Sequence, residues 1–206
     1  MELPLDGTGL RVLGHCAAHP SDGLAHEGGS LVLIGPAEPA FWPLFAQSPE
    51  MQDGQDDPLD RWSKRIVGAI AANVGGAAYF PSDGPPFLPF YTWALRSGQV
   101  WASPIGFLVH EDAGLWVSFR AAIWLPAPAP VIAAVQPCQT CAAPCTSACP
   151  VDAFADGYDA AACKAHINGP DTADCVARGC AARRACPVGQ DRRLPAQARF
   201  HMESFR

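Results

Sequence analysis

Short apolar blocks closed by turn residues run through the first 125 positions of the chain. Ser30-Leu-Val-Leu-Ile-Gly35 is one such block and predicts a buried strand. Residues 39–47 predict a short helix with Phe41, Leu44 and Phe45 on one face. Asp57-Pro58 then supplies an N-cap followed by proline at the first helical position. From there Leu59, Trp62, Ile66, Ala69, Ile70 and Val74 recur at helical spacing until Gly75-Gly76 ends the helix. Residues 105–110 and 115–125 predict two strands joined by a turn at Glu111-Asp-Ala-Gly114. Strands and helices interleave without an internal repeat, so the predicted fold class is α+β.

That patterning stops at Pro126-Ala-Pro-Ala-Pro130-Val-Ile-Ala-Ala-Val-Gln-Pro137, a stretch that favours extended, stiff backbone. All six Trp residues precede it, whereas eight of the nine cysteines fall between Cys138 and Cys186. Charge shifts at the same place, from a net of −7 over residues 1–137 to +1 over residues 138–206. Three segments follow: an α+β domain over 1–126, a linker over 127–137, and a cysteine module over 138–206, too small for an apolar core of its own. The length of 206 residues suits two small domains. With 49% hydrophobic and 17% charged residues the chain is not disordered. A net charge of −6 argues against a nucleic-acid binder, which needs a basic surface. No apolar run reaches the roughly 18 to 20 residues of a membrane span. The start, Met1-Glu-Leu-Pro-Leu5, lacks the basic region of a secretory signal, so the expected location is cytoplasmic.

The module opens Cys138-Gln-Thr-Cys141-Ala-Ala-Pro-Cys145-Thr-Ser-Ala-Cys149-Pro150. Cys163 follows in a predicted helix that Asp159 caps, and then comes Cys175-Val-Ala-Arg-Gly-Cys180 with Cys186-Pro187. A cubane 4Fe-4S cluster needs four thiolates around a compact core. In two-cluster ferredoxins the cysteine before proline ligates the other cluster. Applied to the two Cys-Pro pairs, that crossover assigns Cys138, Cys141, Cys145 and Cys186 to one cluster. Cys149, Cys163, Cys175 and Cys180 then hold the second, with no ligand left over. The first run departs from the common bacterial spacing by having three residues, not two, between its second and third cysteines. Two alternatives stand beside this one. Zinc also takes four thiolates and Cys-x2-Cys pairs, which would make the module a zinc-stapled interaction unit. Disulfides would require an exported chain.

At these residues the module resembles the two-cluster ferredoxin domain of the epoxyqueuosine reductases and, more distantly, that of the corrinoid reductive dehalogenases. The first domain is similar to the cobalamin-processing (CblC-type) family. That similarity lies in Leu31-Val-Leu-Ile34, Pro39-Ala-Phe-Trp-Pro-Leu-Phe45, Asp57-Pro-Leu-Asp-Arg-Trp62, Ala71-Ala-Asn-Val-Gly-Gly-Ala-Ala-Tyr-Phe80, Gly106-Phe-Leu-Val-His110 and Gly114-Leu-Trp-Val-Ser-Phe-Arg120. The resemblance implies a flavin-reductase-like α+β domain followed by a small two-cluster ferredoxin-like module. It also implies a corrinoid (cobalamin) pocket faced by His110.

Each single residue has a plainer role to set beside the functional one. His110 either faces a cofactor or bonds its own turn. Trp116 and Arg120, four apart on the predicted strand, share a face suited to a flat macrocycle or to a cation–π contact. Phe87, Phe90, Tyr91, Trp93 and Trp101 make either a pocket lid or core. Arg178, Arg183, Arg184, Arg192 and Arg193 crowd the second cysteine group. There they ease reduction of an anionic cluster, dock an acidic redox partner, or form a solvated basic face. His15, Cys16 and His19 invite a metal assignment, but one cysteine after an apolar strand is usually a small buried hydrophobe. Two functions follow: single-electron transfer through two clusters to or from a redox partner protein, and, as an alternative, a corrinoid-dependent reductase.

Overall fold

Strand-forming residues are concentrated where both faces of a sheet are covered, and the segment around Leu31 to Ile34 is the clearest case. A computed structural model describes residues 3–169, 173–190 and 192–206. The fold is mixed α+β, and the chain divides into two compact units, Met1–Val100 with Ser118–Ala134 and Trp101–Val117 with Val135–Arg206. This division differs from the expected one. Residues 101–117 belong with the cysteine module, and the exposed Pro/Ala stretch is parted between the units after Ala134.

The first unit is built on a four-stranded antiparallel sheet of β1 (Leu10–Ala17), β2 (Ser30–Pro36), β3 (Ala77–Tyr79) and β6 (Ala121–Leu125), ordered β1-β2-β6-β3. Every residue of β2 is buried, as a continuous apolar run requires. Its register pairs Ser30 with Leu125 and Ile34 with Ala121. A side chain on Gly35 would stand 2.3 Å from the Ser118 carbonyl, so only glycine allows that approach. In β1 the pairing slips between Val12 and Gly14, a bulge that breaks its two-residue alternation.

Helix α3 (Pro58–Asn73) turns Leu59, Trp62, Val67, Ile70 and Ala71 inward. The Trp62 ring meets Phe41 and Phe45 of α1 (Phe41–Ala46) edge-on at 5.4 and 5.8 Å. Each such ring contributes about 1.5–3 kcal/mol by its burial. Leu44, expected on the same face, is exposed. The short helix α2 (Pro49–Gln52) joins α1 to α3, and α4 (Phe90–Arg96) buries Phe90 and Trp93. Asp57 precedes α3 but does not cap it with its side chain. It adopts a left-handed conformation (φ 51°), and its carbonyl accepts from the Asp60 and Arg61 amides.

The second unit begins at a two-stranded ribbon of β4 (Val100–Ala102) and β5 (Leu108–His110), the boundary between units falling after Val100. The expected turn after His110 is present, closed by reciprocal His110–Gly114 hydrogen bonds at 3.1 and 2.9 Å. Helices α5 (Ala160–Asn168), α6 (Ala173–Arg178), α7 (Ala181–Arg184) and α8 (Pro195–Phe205) follow. Asp159 caps α5 as expected, accepting from the Ala162 amide at 2.9 Å. The core of this unit joins Ile105, Val109 and Leu115 of the ribbon segment to Cys145, Ala182 and Cys186. Among the described residues no helix is long and apolar enough to cross a membrane.

Candidate metal centres

The eight clustered cysteines are all free and gather around two separate cavities in the second unit. Cys138, Cys141, Cys145 and Cys186 line a small cavity of about 20 Å³ together with Ser103, Pro104, Val109 and Leu115. Cys149, Cys163, Cys175 and Cys180 line another of about 20 Å³ with Phe154, Ile167 and Ala182. These are the two sets obtained from the crossover of the cysteines that precede proline. Helix α7 produces the crossing, because Cys180 stands before its first residue and Cys186 two residues beyond its last. No Lys, Arg, Asp or Glu lines either cavity.

The thiols have the electrostatics of buried ligands awaiting a cation. Burial pushes Cys138 above its ordinary pKa, and any thiolate at Cys141, Cys186 or Cys145 pushes it further. Cys145 is raised by burial too, with Cys186 and Cys141 as its sulfur neighbours. In the other set burial raises Cys163, where Cys180 and Cys149 repel it, and also raises Cys175, where Cys180 does. For these four thiols the repelling sulfurs all belong to the same quartet, and loading a metal displaces a thiol proton. Donors to sulfur are in place: Ala143 N–H to Cys141 and Ala153 N–H to Cys149, both at 3.4 Å. Thr146 and Ala181 amides support Cys145 and Cys175.

One buried polar atom beside the first quartet has no protein partner. Ser103 is 7% exposed, and its Oγ is buried with no hydrogen bond, an arrangement that costs about 1–3 kcal/mol unless something accepts from it. Eight soft thiolate donors, amides directed at sulfur and an orphaned hydroxyl fit a polynuclear thiolate-bound group. Among the described residues, no three His, Cys, Asp or Glu side chains converge closely enough to hold a single metal ion.

Of the residues expected to face a corrinoid, His110 and Trp116 lie in the second unit and Arg120 in the first. His110 is buried, and its Nδ1 accepts from the Asp112 and Ala113 amides of its own turn at 3.0 and 3.4 Å. Trp116 is not on a strand: it lies in a turn, where the Arg193 guanidinium stacks 4.9 Å over its ring and donates to its carbonyl at 2.9 Å. Arg120 belongs to the other unit, at the bend before β6. Its Nε donates to the Phe119 carbonyl, Asp60 stands 3.8 Å away, and burial pushes its pKa down. A cavity of about 820 Å³ lies in the first unit against β1 and β2, and none of these three residues lines it.

Several of the arginines near the second quartet are engaged within the fold. Arg178 and Arg184 both pair with Asp174, and Arg184 also donates to the Gly179 carbonyl. Arg183 is half-buried, stacked 4.9 Å over Phe107 and donating to the Leu115 carbonyl at 3.1 Å. Of the aromatic group, Phe90 and Trp93 are core, whereas Phe87 and Tyr91 are exposed. Cys16 is buried in β1, and His19 caps the turn at Pro20–Asp22. The grouping of the cysteines around the two cavities follows their spacing, whereas Ser103 at the wall of the first carried no such signal. No protein-family model matches the chain, and no curated protein is significantly similar to it.

Proposed function

We propose that this is an iron–sulfur protein whose second unit is a two-cluster, ferredoxin-like module. More particularly, it is a relay that passes single electrons through two 4Fe-4S clusters between redox partner proteins in the cytoplasm. Cys138, Cys141, Cys145 and Cys186 would hold one cluster and Cys149, Cys163, Cys175 and Cys180 the other. The observation that carries this is the pair of cavities, each bordered by four cysteines drawn from both ends of the module.

A bound cluster supplies a one-electron couple with no bond made or broken at a substrate. The chain's own residues do the rest. Apolar walls keep water from the sulfurs, and backbone amides offset thiolate charge. The residues of the ribbon segment close the first cavity. We propose a flavin-reductase-like architecture for the first unit, as the resemblance implies.

Iron, sulfide and zinc content of anaerobically purified protein tests this directly, with spectra before and after dithionite. About eight iron and eight sulfide per chain, with a visible band that bleaches, is the expected result. Stoichiometric zinc without colour would refute it.

A further inference from the structure

Resting on the iron–sulfur reading, a further conclusion concerns the wall that the first cavity has besides its cysteines. Ser103 opens the turn between β4 and β5, and its backbone groups are both engaged. Its amide donates to the Phe107 carbonyl at 2.8 Å, and its carbonyl accepts from the Gly106 amide at 2.9 Å. Pro104 follows and stiffens the backbone at that point. Ser103 lines the cavity and is 7% exposed. Among the described residues its buried Oγ meets no hydrogen-bond partner. The remaining wall offers it none. Pro104, Pro144 and Pro187 have no amide hydrogen, and Val109, Leu115 and Ala143 have apolar side chains. Apart from the four thiols, the Ser103 hydroxyl is the one polar side-chain group among the described residues that line this cavity.

We propose that the Ser103 hydroxyl donates a hydrogen bond to a sulfur of the cluster held by Cys138, Cys141, Cys145 and Cys186, and so raises the reduction potential of that cluster. A buried hydroxyl without an acceptor is costly, and the sulfurs of a thiolate-bound cluster are acceptors. Reduction adds negative charge to an already anionic group, so a donor to sulfur favours the reduced form. The three prolines give this donor its weight, because they withhold amides from the same sulfurs. Ser103 does not line the second cavity, so its effect is confined to one centre.

The test is a dithionite titration of the full, iron-loaded chain followed by electron paramagnetic resonance. Cys141→Ala first marks the redox wave that belongs to this quartet. Ser103→Ala should lower the midpoint of that wave and leave the other in place. The expected size is about a tenfold shift in the oxidised-to-reduced ratio, about 59 mV for a one-electron couple. Ser103→Thr keeps a hydroxyl, and Ser103→Val has the same shape without one. That pair decides the matter if Ser103→Ala fails to load, and only the Val variant should be shifted. Lower iron content in the variants with no change of midpoint would make Ser103 merely structural and overturn the proposal. So would an unmoved midpoint in loaded Ser103→Ala, an equal shift of both waves, or equal midpoints in the Thr and Val variants. Iron and sulfide near eight per chain in the unaltered protein separates such a failure from failure of the iron–sulfur reading itself.

Discussion

Cys180 and Cys186 lie six positions apart, yet the two cavities place them in different quartets. Replacing either by Ala removes one of four ligands from one site and leaves the other site whole. Cys186→Ala should therefore take the iron content from about eight toward about four per chain, with loss of one redox wave. Cys180→Ala should reach the same iron content with loss of the other wave. The fold should tolerate both changes. Cys186 packs with Ile105, Val109, Leu115, Cys145 and Ala182, and withdrawing one sulfur from that cluster costs about 1 kcal/mol of apolar burial. That is small beside the roughly 5–15 kcal/mol that holds a domain together. The assay pairs iron analysis with the redox titration. A sequential arrangement, in which Cys175, Cys180 and Cys186 serve one cluster, makes the two variants lose the same wave. That result would refute the crossover.

Gly114 has φ +55°, and a side chain there would lie 2.1 Å from the Val188 carbonyl and 3.1 Å from Cys186 Sγ. Gly114→Ala should cost iron at the first quartet before the second, read by the same analysis; full loading would contradict the close approach. In the first unit, Phe45 is fully buried against Trp62 and Phe41, so Phe45→Ala should lower stability by about 3–5 kcal/mol in urea unfolding. A loss below about 1 kcal/mol would mean that the α1–α3 contact is not a packed core. The Arg65 guanidinium holds the Glu50 carboxyl at about 2, below its ordinary value of 4.5. Because the folded value is the lower one, its contribution to stability is complete above pH 4.5 and disappears as pH falls through about 2. Arg65→Met should flatten acid unfolding across that window, and an unchanged profile would remove the pair from the account.

The cysteine partition could be read from the sequence because ligand order is a local property: two Cys-Pro pairs mark the residues that change sides. The strand β2 and helix α3 were equally plain, since one is apolar without interruption and the other has an uninterrupted helical period. What misled was residues 115–125. Leu115-Trp-Val-Ser-Phe reads as alternation, but Leu115, Trp116 and Val117 are all buried, at 1%, 7% and 7%, and do not alternate across a sheet. Burial of that kind belongs to a turn inside a core, and the strand starts only at Ala121. The shared face assigned to Trp116 and Arg120 fails for that reason. Strand β1 was missed because its bulge shifts the two-residue period. Ser103 meets the first quartet across 35 or more residues of sequence, which no spacing rule reports.

The grouping of residues 101–117 with the module has a physical cause that bears on how the centres form. A segment of about 70 residues rich in small side chains has too little apolar surface for a stable core. Ile105, Val109 and Leu115 supply the missing surface, and Cys145, Ala182 and Cys186 complete it. Ala182 is also a wall of the second cavity. Ala182 therefore belongs both to the core behind the first quartet and to the wall of the second cavity. On the proposed iron–sulfur reading, ordering either set of sulfurs around a metal core also orders α7, so metal loading and folding of this unit are coupled.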